Sequence, residues 1–158
     1  MIKVYVLSKR MFNEFLNYNN INESTIDDLN KYMFISINDR SESFWGMKFF
    51  ENEHSNLLTL QFDDVEEDGK NSPTNKNGKT KAFSIEDGKK VIEFLDRNKE
   101  CTKLFVHCAA GISRSGAIGQ FTIDYLNGDK EHFITRNPHI LPNGKVLRVL
   151  HNLVNKYE

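Results

Sequence analysis

Short apolar segments rich in β-branched residues alternate along this sequence with segments of helical periodicity. The candidate strands are residues 2–7, 31–37, 57–62 and 103–107. The helical segments begin at or just after Ser8, Ser84, Ser115 and Asn143. Alternating strands and helices are typical of an α/β domain. We therefore expect a central, mainly parallel sheet of four or five strands flanked by helices.

The length and the charge balance narrow the class of protein. A chain of 158 residues predicts one domain, residues 1–158. Its 21 basic and 22 acidic residues give a formal net charge of −1, which provides no long-range attraction for nucleic acid or an anionic membrane. No segment approaches the roughly 20 apolar residues that span a bilayer. Neither nucleic acid nor a membrane is therefore expected as a partner.

Cysteine usage indicates the compartment. Cys101 and Cys108 are too few for a disulfide framework, and no Cys/His spacing fits a zinc site. The N-terminus also lacks the apolar region of a signal peptide. We expect a cytoplasmic protein with free thiols. Cys101 is interpreted as a structural thiol rather than as a redox partner of Cys108.

Two further segments stand out between the candidate strands. Residues 66–81 contain no apolar side chain, and we interpret them as an exposed, mobile loop within the domain. Residues 38–41 are predicted to be the polar turn that ends the second strand. A set of aromatic residues follows that turn, and we expect it to be core rather than a substrate-flanking surface: Phe44, Trp45, Phe49 and Phe50.

The segment after the fourth strand carries the strongest chemical signal. Strand 103–107 runs directly into Cys108, and a six-residue loop then leads to a helix. Loop N–H groups and the helix N-terminus can bind a tetrahedral anion such as a phosphate monoester, and this positive potential favours the Cys108 thiolate as a nucleophile. Arg114 offers a planar fork to two phosphate oxygens, and Gly111 permits a backbone conformation closed to other residues.

A lone cysteine at the end of a strand is most often a small core residue. Here His107, Cys108, Gly111, Arg114 and Ser115 occur together at fixed spacing after a strand. This combination favours the catalytic interpretation over the structural one.

Residues 107–116, with the sequence HCAAGISRSG, resemble the His-Cys-x5-Arg-(Ser/Thr) signature of the cysteine-dependent protein phosphatases. The sequence looks most like the dual-specificity branch of that superfamily. Residues 136–143 resemble the Arg…Pro-Asn stretch that opens the last helix in this branch. The resemblance covers the C-terminal part of the chain well and the first half only by pattern.

The resemblance implies a protein-tyrosine-phosphatase-like fold and a two-step reaction through a phosphocysteine on Cys108, with no metal or other cofactor. Arg114 would bind the phosphate and the transition state, and Ser115 would stabilise the departing thiolate. His107 would support the loop and the thiolate. The remaining phosphate-binding residues would be Ala109, Ala110, Gly111, Ile112 and Ser113.

The resemblance also requires a general acid. Phe62-Asp63-Asp64-Val65 resembles the acid loop of this branch, in which the second acid usually acts. We therefore assign Asp64 as the general acid and base, with Asp63 as the runner-up. The alternative is that both are solvated loop residues.

The side chains of the loop bear on the class of substrate. The loop interior Ala-Ala-Gly-Ile-Ser carries no lysine, which favours a singly phosphorylated substrate. The leading hypothesis is a phosphorylated protein, dephosphorylated at phosphotyrosine and at phosphoserine or phosphothreonine. Alternatives are an RNA 5′-triphosphatase or a phosphoinositide phosphatase of the same fold, and a catalytically weak phosphate-binding module.

Overall fold

Ten helices and strands follow one another in the computed structural model, which describes residues 1–40, 49–72 and 79–155. In chain order they are β1 (Lys3–Leu7), α1 (Lys9–Tyr18), a 3-10 helix (Ile26–Asp28), β2 (Tyr32–Asn38), β3 (Leu57–Gln61), α2 (Ile85–Arg97), β4 (Lys103–His107), α3 (Arg114–Tyr125), α4 (Lys130–Arg136) and α5 (Gly144–Asn155).

The described strands form one parallel sheet in the order β1-β4-β2-β3. The expected α/β architecture is confirmed, with four strands. Helices cover both faces of the sheet, because the crossover connections between parallel strands place helices there. The larger core lies between one face and helices α2, α3 and α5, and a smaller core lies under α1 on the other face.

Capping side chains fix the starts of three helices where the sequence predicted them. Ser8 Oγ accepts a hydrogen bond from Met11 N–H at the start of α1. Ser84 forms a capping box with Asp87 at the start of α2. Asn143 Oδ1 accepts from Val146 N–H at 3.1 Å before α5.

The outer edge of β1 is closed by one side chain from the C-terminal third of the chain. Asn137 Oδ1 accepts a hydrogen bond from Val6 N–H at 2.9 Å, and Asn137 Nδ2 donates to the Val4 carbonyl at 3.0 Å. The amide thus occupies main-chain groups that a further strand would otherwise use.

The described parts of the polar segment 66–81 fold back on one another. Gly69 N–H donates to the Thr80 carbonyl at 3.0 Å, and Ala82 N–H donates to Asp68 Oδ1 at 2.9 Å. Ser72 and Thr80 are buried. Residues 73–78 lie outside the described residues, so the mobility of this loop remains a prediction.

The carboxyl ends of all four strands meet at one edge of the sheet. They lead into Ser8, Asp39, Phe62 and Cys108. In open parallel sheets, ligand sites form beyond these ends. Among the described residues, no helix is both long and apolar enough to cross a membrane.

Candidate active site

Cys108 lies at the bottom of the loop between β4 and α3 and is only 2% exposed. Its Sγ is 3.0 Å from Ser115 Oγ, in the first turn of α3. The Ser115 hydroxyl is itself fully buried and can donate to a thiolate at this distance. This is the sulfur to which the sequence analysis expected the Ser115 hydroxyl to donate.

Four carbonyl oxygens of the loop accept hydrogen bonds from groups outside it. The pairs are His107 Nδ1 to Cys108 O (3.1 Å), Lys9 N to Ala109 O (3.1 Å), Leu141 N to Ile112 O (3.0 Å) and Asn143 N to Ser113 O (3.0 Å). In a trans peptide the N–H points opposite to the preceding carbonyl, and the described residues contain no cis peptide. The N–H groups that follow these carbonyls therefore point into the loop, as an anion site requires.

Gly111 lets this loop lie against the junction between β1 and α1. Its φ is +71°, in the left-handed region that favours glycine. A Cβ at this position would lie 2.5 Å from the Leu7 carbonyl carbon and from Ser8 N. The sequence-based role of Gly111 therefore has two physical causes, the backbone conformation and a close main-chain approach.

The Arg114 guanidinium is oriented by hydrogen bonds from one nitrogen to two acceptors. Its NH1 donates to Asp39 Oδ1 at 2.5 Å and to the Phe62 carbonyl at 2.8 Å. Arg114 and Asp39 are 3% and 2% exposed. Arg114 Nε is buried and has no hydrogen-bond partner among the described residues. One side of the guanidinium is thus fixed, while Nε keeps a donor for a ligand.

The two candidate acids lie in different surroundings. Asp64 Oδ1 accepts from Ser113 Oγ at 2.8 Å, and from Asn143 Nδ2 at 2.9 Å, so this carboxylate lies against the loop between β4 and α3. Asp63 is fully buried, and its Oδ2 accepts from Lys81 N–H at 2.8 Å. Asp63 therefore joins backbone segments, whereas Asp64 faces the loop that carries Cys108.

His107 is buried and neutral at pH 7. Burial lowers its pKa to about 4. Its ring lies against Phe12 and Phe49, with ring centroids at 4.4 and 5.3 Å, and Nε2 is 2.7 Å from Ser36 Oγ. A neutral imidazole adds no positive charge beside Cys108. Any support from His107 therefore passes through the hydrogen bond of Nδ1 to the Cys108 carbonyl.

Sequence reasoning missed two contributors to this region, Asp39 and Ser36. Asp39 was interpreted as part of a polar turn, but it is buried behind Arg114. Ser36 was interpreted only as part of a strand. The available signal was the position of both residues at the carboxyl end of a predicted parallel strand.

Other residues singled out from the sequence lie elsewhere or outside the described residues. Cys101 and Cys108 flank opposite ends of β4, at most about 23 Å apart at roughly 3.3 Å per residue. Phe49 is half-buried and Phe50 is buried, as expected of core, while Phe44 and Trp45 lie outside the described residues. Among the described residues, no group of three side chains could hold a metal ion.

Comparisons with known proteins support the fold. No protein-family model matches the sequence, and no curated protein matches it. The structure is similar to a crystal structure of a human tyrosine phosphatase-like serine/threonine/tyrosine-interacting protein, with a TM-score of 0.50, 21% identity and 89% of each chain covered.

Two further crystal structures show lower similarity. Tk-PTP in its active form has 17% identity and a TM-score of 0.45 over 85% of this chain and 86% of the other. PTPMT1 in complex with PI(5)P has 18% identity and a TM-score of 0.46 over 98% of this chain and 91% of the other. With its parallel four-stranded sheet and flanking helices, the chain has the α/β fold of the tyrosine phosphatase-like proteins.

Proposed function

We propose that this protein is a cysteine-dependent phosphatase that hydrolyses phosphate monoesters on proteins. One observation carries the proposal: Cys108 Sγ and the Arg114 guanidinium lie at the two ends of a loop in which four carbonyls are bonded outward, so that the N–H groups that follow them point inward. Such a loop neutralises a phosphoryl group without a metal ion, because its donors are already oriented. The reaction would take place in the reducing cytoplasm, where the thiol stays free.

The first step transfers the phosphoryl group to sulfur. The Cys108 thiolate attacks phosphorus, the P–S bond forms, and the P–O ester bond breaks. The leaving oxygen takes a proton from Asp64, which faces the loop through Ser113. Arg114 Nε and the inward N–H groups bind the non-bridging oxygens.

The second step releases phosphate. The Asp64 carboxylate takes a proton from water, the water oxygen attacks phosphorus, and the P–S bond breaks. The Ser115 hydroxyl, 3.0 Å from Sγ, donates to the departing thiolate. Thiolate and protonated acid are thereby restored for the next cycle.

The proposed substrates are proteins that carry phosphotyrosine, phosphoserine or phosphothreonine. The loop side chains between Cys108 and Arg114 include no lysine to meet a second phosphate. This composition supports a singly phosphorylated group over a triphosphate or a multiply phosphorylated inositol.

The test is turnover of 4-nitrophenyl phosphate and of matched phosphopeptides. Cys108→Ser should lower kcat by at least about 1,000-fold, as expected for removal of a nucleophile. Cys101→Ser is the matched control and should retain the wild-type rate, because Cys101 lies at the far end of β4. Equal turnover by wild type and Cys108→Ser would overturn the proposal. Phosphoinositide and RNA 5′-triphosphate serve as further substrates, and a preference for either would reassign the substrate class.

A binding module is the second candidate, since the human protein of similar fold is named an interacting protein. Wild-type protein that binds a phosphotyrosine peptide but neither turns it over nor forms a phosphocysteine on acid quenching would support this candidate. Trapping of 32P on Cys108 would exclude it.

A further inference from the structure

The two edge strands of the described sheet, β1 and β3, differ in what bonds to their outward main-chain groups. Asn137 occupies the outward main-chain groups of β1, as described above. β3 forms the opposite edge and pairs only with β2 among the described strands. A row of unpaired main-chain donors and acceptors at a sheet edge is a template for a further strand.

The hydrogen bonds of β3 show which groups face outward. Asn56 O accepts from Phe34 N–H, and Phe62 N–H donates to Asn38 O, so even-numbered residues of this segment face β2. The N–H and C=O groups of Thr59 and Gln61 therefore face away from the sheet. No described residue bonds to them. These two residues offer four main-chain partners to an incoming strand.

A groove of about 660 Å³ runs along this edge. Its walls are β3 itself, the segment 50–54 and the outer face of α2. We call it the β3 groove. Half-buried Leu58 lines the groove and packs against the larger core, and Lys90 and Glu93 of α2 also line it. The groove thus combines a main-chain edge with side-chain surfaces on both faces of any added strand.

The charges that line the β3 groove are mainly acidic. Four carboxylates and two cations line it: Glu51, Glu53, Asp87 and Glu93, with Lys90 and Arg97. Arg97 is already paired with Glu93 at 3.3 Å. His54 also lines the groove, but it lies between Asp27 and Glu23, whose two negative charges exceed its single positive charge when it is protonated. The Glu51 and Glu53 carboxylates have no partner among the described residues.

We propose that the β3 groove binds an extended, basic segment of a partner protein as a fifth strand. Thr59 and Gln61 would supply the main-chain hydrogen bonds of such β-augmentation. Side chains alternate along a strand, so every second residue of the segment would be apolar and pack on Leu58. The residues between them would be Lys or Arg and would meet Glu51 and Glu53. A second copy of this chain would bring the same carboxylates and repel.

The experiment uses the full chain and two synthetic peptides, one of alternating Lys and Val and one of alternating Glu and Val. We expect the Lys-Val peptide to bind and to slow hydrogen exchange of the Thr59 and Gln61 amides. Thr59→Pro removes one outward donor, a change that edge strands tolerate. It should weaken binding at least tenfold and leave 4-nitrophenyl phosphate turnover unchanged.

A second variant covers the case in which proline disturbs the fold. The double change Glu51→Lys and Glu53→Lys should lower the affinity for the Lys-Val peptide about tenfold, because the groove then no longer complements the charge of the peptide. Glu131 is an exposed acid on α4, so Glu131→Lys is the control. This variant should bind the Lys-Val peptide as tightly as the wild type does.

Equal binding of the two peptides would overturn the proposal, and so would binding that neither variant weakens. Absence of peptide binding, with self-association that Thr59→Pro abolishes in sedimentation equilibrium, would assign the edge to a second copy instead. Turnover of aryl phosphate is read separately, so failure here is distinct from failure of the proposed function.

Discussion

Asp39 Oδ1 and Arg114 NH1 form a buried ion pair between the end of β2 and the start of α3. The pair orients a guanidinium whose Nε is left for a ligand. Removing one member of a buried pair leaves an uncompensated charge, which costs far more than loss of a surface pair.

Asp39→Asn should therefore destabilise the protein and impair catalysis together. We expect the free energy of unfolding to fall by about 3 kcal/mol. We also expect kcat to fall in the protein that remains folded, because the Arg114 guanidinium loses the buried negative charge that orients it. Urea denaturation and initial rates measure the two effects. Asp28→Asn, at an exposed position, is the control; an equally small change in both variants would contradict the prediction.

Replacement by asparagine should mainly lower the catalytic rate at Asp64 and mainly lower the stability at Asp63. Asp64→Asn should lower kcat on a phosphoserine peptide by about 100- to 10,000-fold, with a smaller loss on 4-nitrophenyl phosphate, whose leaving group needs less protonation. Asp63→Asn should instead reduce stability by about 1–3 kcal/mol, because Asp63 accepts from the Lys81 and Arg40 amides in a buried position. Parallel rate and denaturation measurements on both variants check this, and the reverse pattern would make Asp63 the acid.

Gly111→Ala should disrupt the loop between β4 and α3. The left-handed conformation alone costs a non-glycine residue roughly 1–2 kcal/mol, and the new Cβ would also collide with main-chain atoms of Leu7 and Ser8. We expect lower stability and weaker inhibition by vanadate, measured by thermal denaturation and inhibition assays. Gly144→Ala is the control, since its Cβ would meet only the ends of two flexible side chains, Glu66 Oε1 at 2.6 Å and Arg148 NH1 at 3.1 Å. Comparable effects in the two variants would contradict the specific requirement for glycine at position 111.

His107 should make stability fall at mildly acidic pH. Its pKa is about 4 in the folded protein and about 6.5 when unfolded, so below pH 6.5 the unfolded chain binds the proton and the folded chain does not. Between pH 6.5 and 5 this contributes a loss of about 2 kcal/mol, at roughly 1.4 kcal/mol per pH unit. His107→Gln should flatten the profile measured by urea denaturation, and His139→Gln, at an exposed position, should not. A wild-type profile that is flat over this range would contradict the prediction.

Features that depend on neighbours in sequence could be predicted. The strand 103–107, the loop through Arg114 and the caps at Ser8 and Ser84 all involve residues close along the chain. α4 was not predicted, because only Phe133 of its seven residues is buried and no periodicity results.

Contacts set by sheet order could not be predicted. Asp39 reaches Arg114 across 75 positions, and Asn143 reaches Asp64 across 79. Both depend on β4 lying between β1 and β2, which no local pattern specifies. The choice between Asp63 and Asp64 is of the same kind, since the two are neighbours in sequence and differ only in what the fold places beside them.

The amide of Asn137 has a consequence for biosynthesis. β1 leaves the ribosome before the side chain that closes its outer edge is made, since Asn137 follows Val6 by 131 residues. Throughout that interval the nascent chain carries an open strand edge, which is the kind of surface that promotes aggregation. Chaperone demand during translation should therefore end only once the segment after α4 has emerged.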